Sequence, residues 1–141
     1  MSNRAHAPIR AAAEAHAAAI STKDASAVLA TRAPGFVSYS LAPPLVTGGA
    51  ADGLEAWFAT WRGPIGWSLR ELEVAASGDV AFAHGLVHMT GTKTDGTEVD
   101  VWFRETVGLR ALDGAWRIAH EHHSVPFYMD GSFRACVDLA P

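Results

Sequence analysis

The sequence predicts an α+β fold in which three N-terminal helices lie on one face of a long, curved, antiparallel or mixed β-sheet. Three observations predict it. The first 62 residues carry Ala-rich and Trp-rich stretches at helical spacing. Residues 80–90, 99–109 and 115–126 then form three strand-like runs, each long for a strand. Between those runs, Thr94-Asp95-Gly96 and Asp113-Gly114 are hairpin signals. Helices first and strands afterwards is the order of an α+β domain.

Taken in order, residues 1–7 are expected to fray, and Pro8 suits a first helical turn. Residues 9–20 are Ala-rich and helical by propensity. Ser21-Thr22-Lys23-Asp24 breaks this helix, and Asp24 or Thr22 can cap a second one reaching about Arg32. Pro34-Gly35 ends it. Residues 36–40 read as a short strand, and Pro43-Pro44 with Gly48-Gly49 marks a loop. Asp52 can cap a third helix over residues 53–62, with Trp57, Phe58 and Trp61 as a buried stripe. Gly63-Pro64 stops that helix, and residues 67–76 form the next strand. The last segment, 127–141, reads as an irregular tail with Met129, Phe133 and Leu139 available to pack over an opening.

At 141 residues the chain is expected to form one domain with a real core. Its 49% hydrophobic and 18% charged content is that of a globular protein. A net charge of −4 argues against nucleic acid or an anionic membrane as the main partner, because both need a basic face. No run is apolar for long enough to span a bilayer, and the first residues do not resemble a secretory signal. The single Cys136 excludes an internal disulfide and fits a reducing compartment, so a cytoplasmic location is expected.

One period-2 phase of the long strands collects the polar groups. It holds His84 and His88, then Asp100, Arg104 and Thr106, then His120, His122 and Ser124. Titratable groups gathered on one face predict the lining of a cavity. The opposite phase is largely apolar: Ala81, Ala83, Val87, Met89, Val101, Phe103, Val107 and Leu109. Two occupied faces predict that the outer one is covered, most simply by a second copy in a symmetric homodimer.

Arg104-Glu105-Thr106, the turn Asp113-Gly114-Ala115-Trp116 and the end His120-Glu121-His122-His123-Ser124-Val125-Pro126 resemble the nuclear transport factor 2-like superfamily, and within it the SnoaL-like group. The Asp-Gly-x-Trp turn and the His-x-His-x-Ser end are also similar to the association domain of calcium/calmodulin-dependent kinase II. The resemblance spans nearly the whole chain. It implies a cone-shaped, cystatin-like roll with a deep pocket, usually dimeric. It does not fix an activity, since this fold hosts isomerases, cyclases, dehydratases and binders. The ketosteroid isomerases of this group use an aspartate base, with a tyrosine and a protonated aspartate as oxyanion donors. By spacing, the tyrosine falls at His16, the base at Tyr39 and the second aspartate at Thr106. None of the three is retained, so the resemblance carries the cavity rather than that mechanism.

The candidate proton carriers are His122, His120, His84 and Asp100. Histidine titrates near neutrality, and an aspartate near apolar walls does so when raised. Arg104 can hold a carboxylate or enolate with its planar fork, or form a salt bridge to Asp100 or Glu121. Arg104, Tyr39 and His16 are the expected oxyanion donors. Trp57, Trp61, Trp102 and Tyr39 are the expected aromatic wall, although ordinary core packing accounts for such residues equally well. His88, Thr106 and Ser124 complete the lining. His120 and His122 share a strand face about 6.5–7 Å apart and could chelate a metal with His84, His88 or Asp100 as third ligand. A hydrogen-bonded polar wall is the preferred account, so no metal and no cofactor are expected. Gly48-Gly49 lacks the Lys-Ser or Lys-Thr of a phosphate loop, and no serine elbow or Cys–His site is recognisable. The expected ligand is a small, mostly apolar, carbonyl-bearing molecule, either isomerised, dehydrated or cyclised by proton transfer, or simply bound.

Overall fold

A computed structural model of the chain describes residues 2–48 and 50–141. Helix α1 spans Ser2–Ser21, α2 spans Ala25–Ala30, β1 spans Arg32–Tyr39 and α3 spans Ala51–Phe58. Strands β2 (Trp61–Ser77), β3 (Val80–Lys93), β4 (Glu98–Leu112) and β5 (Ala115–Ser124) follow. They form one five-stranded mixed sheet in the order β1-β5-β4-β3-β2. β1 runs parallel to β5, and all other neighbours are antiparallel. The α+β class and the curved sheet are those expected from the sequence.

The element boundaries follow local chemistry. In α1 the buried residues Ile9, Ala13, His16, Ala17 and Ile20 recur at helical spacing, which lays one stripe on the sheet. This helix starts at Ser2, so residues 2–7 are its first turns rather than a frayed start; Met1 lies outside the described residues. Asp24 caps α2 by accepting a hydrogen bond from the Ala27 amide at 3.0 Å. α3 is shorter than expected and begins at Ala51, with Ala50 rather than Asp52 at its cap position. The Asp52 side chain and Gly49 lie outside the described residues. Trp61 opens β2 instead of closing the helix. Pro34 and Pro64, expected to end helices, sit inside β1 and β2 at irregularities in the pairing. Both are edge strands, where a missing amide donor leaves no neighbour unsatisfied.

The two sheet faces are the reverse of the expectation. Ala81, Ala83, Val107, Leu109 and Ile118 pack with Ile9 of α1 and Phe36 in one core cluster. The apolar phase is therefore the inner, helix-covered face. His84, His88, Asp100, Trp102, Arg104, Thr106, His120, His122 and Ser124 occupy the outer face. Burying apolar area contributes about 25 cal/mol per Å², so the phase richer in apolar groups takes the helices. In β5 a bulge sharpens the error. Ile118 pairs with Leu109 and His120 with Gly108, leaving Ala119 without a partner. A one-residue insertion exchanges the faces beyond it. Strict alternation from buried Ile118 would send His120, His122 and Ser124 inward; the bulge sends Glu121 and His123 inward instead.

A second bulge, at Glu71 in β2 with φ of 56°, brings the β2 backbone over Gly85. A Cβ on Gly85 would meet Arg70 O at 2.9 Å and Leu72 Cα at 3.2 Å, both backbone atoms. On Gly108 it would meet only the His120 Cβ at 3.8 Å. Gly85→Ala should therefore destabilise the fold by about 1–3 kcal/mol through overpacking. Gly108→Ala should stay within about 0.5 kcal/mol of wild type. Urea unfolding of both variants tests this, and equal effects would contradict the close approach at the bulge.

Candidate functional site

Among the described residues, six polar side chains are buried on the inner side of the sheet: His16, Arg32, Ser38, Glu105, Glu121 and His123. α1 supplies His16, β1 supplies Arg32 and Ser38, β4 supplies Glu105, and β5 supplies Glu121 and His123. Register aligns them. Ser38 pairs with Glu121 across the parallel β1–β5 ladder, and Glu105 pairs with His123 across β4–β5. Charges so deeply buried persist only when partnered.

Glu121 is the hub. Its Oε2 accepts a hydrogen bond from Ser38 Oγ at 2.7 Å and lies 3.8 Å from an Arg32 guanidinium nitrogen. Its Oε1 faces His16 Nε2 and His123 Nε2, each at 3.9 Å. Neither Oε1 nor His16 Nε2 has a hydrogen-bond partner. His123 Nε2 donates to Glu105 Oε1 at 2.9 Å. The His123 ring also packs against Phe103 at 4.9 Å and Trp67 at 5.6 Å.

The surroundings set the proton affinities. Burial pulls His123 down, but the Glu105 hydrogen bond and the charges of Glu121 and Glu105 outweigh it and hold His123 above the ordinary imidazole value. Burial wins at His16, which falls below that value despite the attraction of Glu121. Glu121 is pushed up by burial, yet His123, His16, Ser38 and Arg32 together hold it below the ordinary carboxylate value. The cluster thus joins a carboxylate biased toward its ionised form, one imidazole biased toward its neutral form and one whose proton affinity is raised.

A groove of about 590 Å³ leads to one member of this cluster. Tyr39, Leu41, Pro44, Leu45, Val46 and His122 are among its walls, and His123 is also in the lining. Reciprocal backbone hydrogen bonds between Ser38 and Thr47, at 2.8 and 2.9 Å, fold the intervening loop back to form the apolar wall. His123 therefore belongs both to the groove and to the buried network.

Among the residues singled out from the sequence, His16 enters the buried cluster. Trp57 and Trp61 pack with Phe58, Ile65 and Trp67 in the second core cluster. Tyr39 lies at the sheet edge, its ring edge-on to His120 at 4.6 Å and to His122 at 5.4 Å. His120 Nδ1 donates to Val37 O at 2.8 Å. On the outer face His88 bonds Asp100 at 2.6 Å and stacks on Trp102 at 4.2 Å. Arg104 Nε donates to Ser124 Oγ at 3.1 Å, rather than forming the salt bridge to Asp100 or Glu121 that was one of its two expected roles. His84 stacks on Phe82, and Thr106 is exposed opposite His122. Of the outer-face residues, His122 lines the groove described above, and Asp100 lines a second groove of about 400 Å³ with Leu41, Val99, Val125 and Val137. Met129, Phe133 and Leu139 of the tail are exposed, while Cys136 is buried. The sequence reading missed Arg32, Ser38, Glu105 and His123 as site residues and used Glu121 only as a salt-bridge partner. Glu105 carried a signal: it is a charged residue between Phe103 and Val107 on the apolar phase.

Three comparisons bear on these features. A family model described as SnoaL-like domain matches residues 9–128. No curated protein matches the chain. Among solved structures, a nuclear transport factor 2-like protein of unknown function from Pseudomonas putida KT2440 is 31% identical, with a TM-score of 0.86 and coverage of 100% of this chain and 99% of that one. A ketosteroid isomerase-like protein from Erwinia carotovora atroseptica is 28% identical, with a TM-score of 0.71 and coverage of 84% and 93%. A candidate calcium/calmodulin-dependent protein kinase II association domain from Xanthomonas campestris is 22% identical, with a TM-score of 0.71 and coverage of 82% and 84%, a likeness of fold alone. No helix among the described residues is long and apolar enough to cross a membrane.

The buried network predicts a dome of stability against pH. His16 is depressed, so its contribution is present above the ordinary value of 6.5 and is lost as pH falls through its folded value. Glu121 adds a second loss below its ordinary value of 4.5. His123 is raised, so its contribution is full below 6.5 and is lost as pH rises through its folded value. Urea midpoints across a pH series should show both limbs. His16→Gln should flatten the acid limb between 6.5 and 4.5 and leave the alkaline limb in place. A wild-type curve that is flat across neutrality would contradict the assignment.

Proposed function

The chain belongs to the SnoaL-like domain family, within the nuclear transport factor 2-like superfamily, and on that footing we propose that its groove binds a small, largely apolar, carbonyl-bearing molecule and that His123 moves a proton on it. One observation carries this reading: His123 is shared by the groove lining and the buried ionic network. Apolar loop residues supply affinity without direction, and a few convergent polar groups supply orientation. Glu105 fixes the neutral His123 ring and raises its proton affinity, so the ring can take a proton from the carbon beside a carbonyl, becoming imidazolium, and return that proton to another atom. That chemistry fits isomerisation or dehydration. Tyr39 lines the same groove and can donate its hydroxyl to a developing oxyanion. Of the sequence-derived carriers, His122 also reaches the groove, whereas His84, His120 and Asp100 do not line it.

The test is solvent-deuterium exchange next to the carbonyl of compounds that bind, chosen by screening a carbonyl panel. His123→Gln should lower the exchange rate about 10²–10⁴-fold with little change in affinity. Exchange that survives His123→Gln but is lost in His122→Ala would move the proton carrier to the groove rim. Binding without exchange in any protein would make this a binding module.

We also propose a homodimer formed through the outer sheet face, favoured by a specific exposure. Phe82 remains 50% exposed and stacks on His84, and Leu86 and the stacked His88–Trp102 pair follow along the same face of β3 and β4, a line of apolar and aromatic groups on an otherwise polar face. Sedimentation should report a dimer for wild type and a monomer for Phe82→Glu, with ligand affinity kept. A wild-type monomer at micromolar concentration would remove this part of the proposal.

A further inference from the structure

We infer that the cluster behind the groove is a divalent transition-metal site built by Glu105, Glu121 and His123, with His16 as its fourth donor. The inference rests on the reading of this cluster as the inner end of the groove and goes beyond the proposed function: the same His123 would hold an ion in place of a proton.

Glu121 uses Oε2 for Ser38 and Arg32, while Oε1 is buried and accepts no hydrogen bond. Two imidazole nitrogens, His16 Nε2 and His123 Nε2, face Oε1 at 3.9 Å each, too far for a direct hydrogen bond. His16 is itself almost fully buried, and its Nε2 has no partner either. Glu121 Oε1 and His16 Nε2 are thus two buried polar atoms that face each other without a hydrogen bond, with His123 Nε2 beside them. Glu105 Oε1 stands 2.9 Å from His123 Nε2, and donor atoms of Glu105, Glu121 and His123 all lie within 4.8 Å of one another.

The donor chemistry selects the ion. Ligands bound at about 2.0–2.2 Å stand roughly 3–3.5 Å apart around a tetrahedral ion, so the 2.9 and 3.9 Å spacings among Glu105, Glu121 and His123 close with movements below about 1 Å, while His16, outside the group of donors within 4.8 Å of one another, would have to swing in from α1. Two imidazoles and two carboxylates favour zinc, iron, cobalt or nickel over calcium or magnesium, which take oxygen ligands. β4 and β5 hold three of the donors in ladder register, which makes a rigid base, and α1 brings the fourth. On binding, the proton shared by His123 and Glu105 leaves to solvent, and both become ligands. The site is distinct from the His-x-His pair that the sequence offered: His120 and His122 lie on the opposite face, with ring centroids 6.5 Å apart.

Cobalt(II) tests the inference directly, because a bound ion is visible by its d–d absorption. Chelator-treated protein dialysed against Co²⁺ should hold one ion per chain and show visible bands. Glu105→Gln and Glu121→Gln should each lose the bands, and His16→Gln should weaken binding about tenfold or more. The double variant His120→Ala/His122→Ala should keep them. Wild-type protein should also melt at higher temperature with Co²⁺ than with chelator, a readout that needs no variant to fold. Absence of stoichiometric cobalt in wild type, or bands abolished only by the His120/His122 changes, overturns the site. No cobalt site together with His123-dependent proton exchange would remove the metal and keep the proposed function. A cobalt site with no exchange in any protein would remove the proposed function and keep the metal.

Discussion

The contact on which the rest of this molecule depends is the buried carboxylate of Glu121. It is the point where helix α1, the parallel strand β1 and the antiparallel strand β5 meet. Ser38 and Arg32 reach it from β1, and His16 reaches it from α1. An ion of this size is costly to desolvate, by several kcal/mol, and the attraction of its partners offsets that cost only when their geometry is good. Such a group is poor as a source of net stability. It is effective as a constraint, because any slip of β1 against β5 would leave charge buried without its partner. The parallel pairing at the sheet edge is short and interrupted between Arg32 and Val37, so this polar tie specifies a register that backbone bonds alone specify weakly.

The same constraint explains why the reactive groups lie where they do. β4 and β5 are in continuous register from Gly108–His120 to Arg104–Ser124. Glu105 and His123 therefore meet as a cross-strand pair, with their relative position set by the ladder rather than by a loop. Phe103 and Trp67 pack on the other surfaces of the imidazole. A low-dielectric wall on one side and a carboxylate on the other hold the ring in one orientation. This arrangement suits chemistry that requires a pre-positioned group.

The sequence revealed the architecture more readily than the site. Long strands and hairpin turns are written locally: Thr94-Asp95-Gly96 and Asp113-Gly114 each act within a few residues, and their consequences are visible without tertiary structure. The direction of each face is not local. His84, His88, Asp100, Arg104 and Thr106 form a genuine polar phase, and alternation alone cannot say which side the helices take. Burial decides it, and Ala81, Ala83, Phe103, Val107 and Leu109 have more apolar area to remove from water. In β5 the bulge at Ala119 then reverses the phase, and no side chain at that position announces it. Glu105 was nonetheless legible in principle, since a carboxylate inside an apolar phase is costly unless something meets it. Arg32 was less so, because its partner lies far along the chain on β5.

This sheet therefore divides its labour between its surfaces. The inner surface joins a hydrophobic core to one enclosed ionic cluster, and His123 connects that cluster to an apolar groove at the sheet edge. The outer surface holds the more numerous histidines, but there they are half-exposed or exposed and bond to neighbours: His88 to Asp100, His120 to the Val37 carbonyl. A count of titratable residues favours the outer face; burial and unmet hydrogen-bonding capacity favour the inner one. The second criterion is the stronger, because water already satisfies an exposed imidazole. A buried Glu121 Oε1 beside a buried His16 Nε2 has only the protein, or a guest, to satisfy it.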